Sequence, residues 1–315
     1  MVRPGSLVRV LFVLMLIASS VAYAQNQVKP NQVQVFISAV DGSGAPVTDL
    51  KPEEVAYTEG GAPGKVVSLD RHQLPIKLTI AIDNGKDSIP ALPSLKEGLT
   101  GLVGALPPDV EVTLITMSQP QMVVRPTTDR AQITQGISRF GPDSGAVAKF
   151  SETLVEYSKR IDKDFKDKKL TYAPMLVMVS TSTPELEDVE ADTIQKALNT
   201  LQIRAARVSA IMFTTTPTNT ASVANMTQGR QALIAAPIVK ASGGKFETLV
   251  QFNGLATVLP EWGKGIAASH AKQVNQFRAV IDRPGGATGP LNNLGLRLTR
   301  PGANGSVSPD GRFSQ

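Results

Sequence analysis

Two hydrophobic periodicities divide the chain. From Val33 to about Asp70 apolar and polar positions alternate in short runs: "VQVFISAV" is β-branched and alternating, "DGSGAP" has turn chemistry, and "EEVAYTEGGAPGKVVSL" reads as two further strands joined by a Gly/Pro turn. From Leu74 the pattern changes. "LPIKLTIAID" is nearly continuous apolar sequence ending in an acid, the signature of a strand covered on both faces. Beyond it the pattern predicts helices over about Leu92 to Ala105, Asp129 to Phe140, Ala148 to Arg160, Ala191 to Arg204, Arg230 to Ser242 and Phe252 to Ala268. Strands are predicted between them at "VEVTLITM", "MVVRP", "APMLVMVSTST", "ARVSAIMF" and "GKFETL". Alternating strands and helices imply a doubly wound α/β domain with a mainly parallel sheet.

The end of the chain returns to β signals in "NQFRAVIDRP" and "LNNLGLRLTRP". Three N-terminal strands cannot close a core alone, so the two chain ends are expected to share a small β-sandwich. The expected division is an N-terminal β segment over 25–73, the α/β domain over 74–270, a C-terminal β segment over 271–300 packing with the first, and a flexible tail over 301–315. Residues 1–24 read as a signal peptide. Arg3 and Arg9 precede an apolar stretch from Val10 to Ala18, and Ala22-Tyr23-Ala24 fits the small-x-small rule for cleavage after Ala24. The stretch falls short of the ~20 residues that span hydrocarbon. With no cysteine available for lipid attachment, the mature chain is expected to be periplasmic or secreted, with no membrane anchor.

Composition narrows the chemistry. The chain has no cysteine, which removes disulfides, thiolate metal sites and thiol nucleophiles together. Loss of Arg3 and Arg9 with the leader lowers the formal net charge by two, from +5 to +3. The densest charge run, "KRIDKDFKDKK", mixes both signs and reads as a solvated helix end, so nucleic acid is not an expected partner.

Three stretches carry a resemblance. "AIDNGKDS" after a buried strand, "TTDRAQITQGISRF" after a short strand pair and "KASGGKF" before the final helix resemble the von Willebrand factor type A domain. The flank "VFISAVDGSGAPVTDLKPEEVAYTEGGAPGKVVSL" is similar to the region preceding that domain in bacterial secreted VWFA-related proteins. The resemblance implies a Rossmann-like α/β fold and a protein-binding or adhesion role. It also implies a divalent-cation adhesion site (MIDAS) built from an Asp-x-Ser-x-Ser loop, a Thr before a helix and an Asp after the fourth strand. Mg²⁺ wants octahedral oxygen ligands, which loops at the carboxyl ends of neighbouring strands can supply.

This sequence departs from that pattern. Asp83 matches the leading acid, Gly85 stands where a hydroxyl is usual, Asp87 takes the second hydroxyl position beside Ser88, and Ala146 or Val147 falls where the Thr is expected, with Ser144 nearby. Ser180, Thr181 and Ser182 stand where an Asp is expected, and Lys86 adds a positive charge to the first loop. The expectation is therefore a degenerate site with no bound metal and no cofactor, Mg²⁺ being disfavoured, whose recognition loops are marked by Asp83, Gly85, Asp87, Ser88, Ser144, Ser180 and Ser182. An alternative is a metal-dependent ligand-binding domain using Asp83 and Asp87, with Glu185 or Glu187 swinging in. A hydrolase with an unrecognised site is the alternative from another class. Neither G-x-S-x-G nor a phosphate loop is present, and His72 and His270 lack zinc-site spacing, so no enzyme activity is expected. The reading that results is a secreted or periplasmic interaction module with a protein partner in the envelope or extracellular space.

Overall fold

The computed structural model describes residues 29–181, 189–213 and 230–313. The leader, residue 182, Glu185, Glu187 and the polar loop at 214–229 lie outside the described residues. Among the described residues, twelve strands assemble into two sheets of six.

The first sheet draws on both ends of the chain, in the order β11-β2-β3-β10-β1-β12. Its strands are β1 (Gln32–Val40), β2 (Val55–Glu59), β3 (Ala62–His72), β10 (Gln276–Asp282), β11 (Leu294–Leu298) and β12 (Asn304–Ser308). All their pairings are antiparallel. A two-residue turn joins β2 to β3. Gly60 and Gly61 occupy it with φ of 57° and 85°, as a primed hairpin turn requires. β3 changes partner along its length: Ala62 to Gly64 pair with β2, and Lys65 to His72 pair with β10. Alternate residues Val35, Ile37 and Ala39 of β1, Tyr57 of β2 and Phe277, Ala279 and Ile281 of β10 fill one buried cluster, against which Leu296 and Val307 pack. A buried ion pair between Glu59 and Arg283 ties β2 to the end of β10.

The tail expected to be flexible is ordered instead. β12 pairs with β1 from Asn304 opposite Val40 to Ser308 opposite Phe36, and Phe313 beyond it is buried. Gly, Ser and Pro composition hides the strand, because its order comes from a partner remote in sequence rather than from local propensity. The domain limit expected at residue 270 falls inside a helix that runs on to Val274.

The second sheet has the order β6-β5-β4-β7-β8-β9. β4 (Ile76–Ile82), β5 (Glu111–Thr116), β7 (Ala173–Thr181), β8 (Arg207–Phe213) and β9 (Phe246–Leu249) pair in parallel, and β6 (Gln121–Thr127) is antiparallel at one edge. Helices cover both faces. Leu78, Ile80 and Ile82 face α1 (Leu92–Ala105), α2 (Arg130–Arg139) and α6 (Leu255–Val274). Ala81, Leu176, Met178 and Val208 face α3 (Phe150–Lys166), α4 (Ala191–Ile203) and α5 (Arg230–Ser242). Two-sided coverage explains the continuous apolar runs of β7 and β8. It also places the ends of β4, β5 and β7 side by side, the position at which such sheets build their sites.

Candidate functional site

Asp83 leaves the end of β4 between β5 and β7, its N–H donating to Val179 O at 2.8 Å. The side chain is 1% exposed. Oδ1 accepts the Gly85 N–H at 2.8 Å. Oδ2 accepts the Thr181 N–H at 3.0 Å and the Thr181 hydroxyl as well. The residue that stands where a second acid was expected therefore holds the first one inward. Its neighbour Ser180 is fully buried and donates to Thr181 O at 3.1 Å.

The loop after Asp83 is closed by the loop at 141–147. Asn84 O accepts the Asp143 N–H at 2.7 Å, Asn84 Nδ2 donates to Gly141 O at 2.9 Å, and Ala146 O accepts the Lys86 N–H at 3.0 Å. The Asn84 Oδ1 accepts the hydroxyl of buried Ser118. At Gly85 the two loops touch: a Cβ there would lie 2.7 Å from Ala146 O and 3.2 Å from Asp83 Oδ1. The position that lacks a ligand oxygen has no room for one. Ser88, also fully buried, donates its hydroxyl to Gly85 O at 2.8 Å and closes the 3₁₀ turn Lys86–Ala91. Asp87 is partly buried, while Ser144 is exposed.

Asp83, Gly85, Asp87, Ser88 and Ser180 thus converge at one end of the sheet, with Ser144 across the loop contact. The acid already accepts three N–H and O–H donors, Ser88 donates its hydroxyl to the backbone, and among the described residues no group of three or more His, Cys, Asp or Glu side chains is placed to hold a metal. Sequence reasoning missed Thr181 as the partner of Asp83, and Asn84 with Ser118 as the pins of the loop. Beside them opens a cleft of about 540 Å³, polar along much of its wall, between Asn84, Thr116, Gln121, Arg139 and Asp143. Arg139 ends α2 with its side chain exposed.

The histidines sit at junctions. His270, 2% exposed, accepts the Ile76 N–H on Nδ1 at 3.2 Å and has Asp109 Oδ2 2.8 Å from Nε2. Both ring nitrogens are engaged, so the imidazole stands in its Nε2–H tautomer with no lone pair left for a nucleophile. His72 packs against the Phe36 ring at a centroid distance of 5.3 Å. No described helix is long and apolar enough to cross a membrane.

No family model matches this chain, and no curated protein does. Solved structures are similar to it at low identity. A von Willebrand factor type A protein from Catenulispora acidiphila is 10% identical, with a TM-score of 0.47 over 75% of this chain and 50% of that one. Proximal thread matrix protein 1 from the mussel byssus, with a zinc-occupied MIDAS motif, is 14% identical with a TM-score of 0.43, covering 64% of this chain and 50% of that one. The SpRpn10 VWA domain is 14% identical with a TM-score of 0.42, covering 59% of this chain and 94% of that domain. The chain spans half or less of the length of the first three structures it matches.

Proposed function

We propose that the chain is a non-enzymatic protein-interaction module of von Willebrand type A character, related to the bacterial secreted VWFA-related proteins and acting outside the cytoplasm after loss of residues 1–24. Its binding surface is the set of loops at the carboxyl ends of β4, β5 and β7, and its partner is a protein of the envelope or extracellular space. The small β unit, of sandwich type, holds the two chain ends away from that surface. Recognition needs no divalent cation.

The observation that carries this reading is the closure of Asp83 by Thr181 and Gly85 beneath a polar cleft that stays open. A cation site has been exchanged for hydrogen bonds while the loops around it keep a concave, hydrogen-bonding surface. The test is capture of a partner from envelope extract by the full mature chain and by an Arg139→Glu, Asp143→Lys double variant, each with and without EDTA. Capture is expected to fall at least tenfold in the variant and to be unchanged by EDTA. Loss of capture in EDTA, or dependence only on substitutions in residues 33–70, would overturn the assignment.

A further inference from the structure

The opposite end of the same sheet breaks the rule that buried parallel strands are apolar on both faces. Lys77 and Thr79 alternate with Leu78 and Ile80 along β4, and in register across the parallel ladder Lys77 stands opposite Glu111 and Thr79 opposite Thr113. A polar column two strands wide therefore lies on the face covered by α3. From that helix Tyr157, Arg160 and Asp164, spaced along one helical stripe, close a cleft of about 190 Å³ over the column.

Part of this polar inventory is spent internally. Lys77 pairs with Glu111 at 3.1 Å, and Asp164 accepts the hydroxyl of Tyr172. Two donors are left over. Arg160 lies 5.1 Å from the Tyr157 ring centroid and makes one hydrogen bond, from its NH2 group to Thr79 Oγ1 at 2.6 Å, with no ion pair among the described residues. Tyr157 is 4% exposed, and its hydroxyl has no hydrogen-bond partner among the described residues. Burial pushes that phenol above its ordinary value, so it stays a proton donor throughout the working range. A buried hydroxyl left unpaired is costly unless something else is meant to accept from it.

We infer that this cleft binds a small monocarboxylate, held by the Arg160 guanidinium and the Tyr157 hydroxyl. A planar two-oxygen anion matches the fork of an arginine. Asp164 and Glu111 in the lining disfavour a second negative charge, which selects against phosphate. The cleft has a volume of about 190 Å³, which exceeds that of a carboxylate group alone, so a short organic body can accompany it. It lies about 13 Å along β4 from Asp83 and is separate from the loops proposed to bind protein.

The test titrates the full mature chain with acetate, butyrate and inorganic phosphate, followed by ligand-observed NMR and thermal unfolding. Acetate or butyrate is expected to bind and to raise Tm, with phosphate at least tenfold weaker. Arg160→Gln should abolish the effect. Tyr157→Phe removes only the unpaired hydroxyl, so the free protein should be at least as stable as wild type while carboxylate affinity falls about tenfold. Asp143→Lys, at the other end of the sheet, should leave binding unchanged. The assignment is overturned if neither carboxylate binds wild type more tightly than Arg160→Gln, if Tyr157→Phe binds as wild type does, if phosphate binds equally well, or if Asp143→Lys abolishes binding.

Discussion

A single hydroxyl decides what the acid at the end of β4 can do. Thr181 gives Asp83 both an N–H and an O–H donor, which favour the ionised form of the acid. Replacing Thr181 by Val keeps the shape and the N–H but removes the O–H, leaving a buried carboxylate short of one partner. Thr181→Val is expected to lower unfolding stability by about 1–3 kcal/mol, measured by urea denaturation, with no rescue by millimolar Mg²⁺. Gly85→Ser, which puts back a hydroxyl where the adhesion-site pattern has one, should also destabilise, because its Cβ would meet Ala146 O at 2.7 Å. A Mg²⁺-dependent rise in Tm in either variant would restore the metal-site reading. The sequence made Asp83 and the departures from the adhesion-site pattern legible, since those depend on residue type and spacing. It could not show that Thr181 turns toward Asp83 or that residues 141–147 press on Gly85, because both depend on contacts between loops 60 to 100 positions apart.

Among the elements, those with their own periodicity were read to within a few residues. α1 and β4 are examples, since a two-sided apolar run or a helical stripe fixes both type and extent. β12 was missed because Asn304–Ser308 has almost no strand character until β1 supplies a ladder. The same strand leads into a clasp on the α/β unit. Arg207 at the start of β8, 2% exposed, donates from NH1 to Ser269 Oγ at 3.0 Å and from NH2 to Phe313 O. Burial, and then the neighbouring charge of Arg312, lowers its guanidinium to about 10. Such a group tolerates its position only while its acceptors stay in place. Phe313→Ala empties a buried site and loosens the segment that carries the acceptor. The expected loss is about 3 kcal/mol by denaturant titration. A loss within 0.5 kcal/mol, roughly the ordinary scatter of surface changes, would show that the segment is not needed for the fold.

At the scale of the whole molecule, ion pairs join segments that are far apart in sequence, and this sets the response to pH. Arg300, just after β11, hydrogen-bonds Glu54 and holds that carboxyl at about 2, and it lowers Asp49 in the same way. The hydrogen bond from Arg283 keeps Glu59 below its ordinary value. A carboxylate depressed on folding contributes stability that is present above its unfolded value, near ~4, and is lost as pH falls through the folded one. His72 adds an earlier step. Burial, and then the charge of Arg278, hold its imidazole below the usual range, so the unfolded chain takes up the proton first. Its contribution is complete above roughly pH 6.5 and declines as pH drops through that value toward the folded one. Urea midpoints are therefore expected to be level from about pH 7 to 8, to begin to fall below about 6.5, and to fall again, more steeply, below about 4 as the carboxylates of the chain-end pairs protonate. His72→Gln should remove the first decline and leave the second. A first decline that survives in His72→Gln would show that His72 does not produce it.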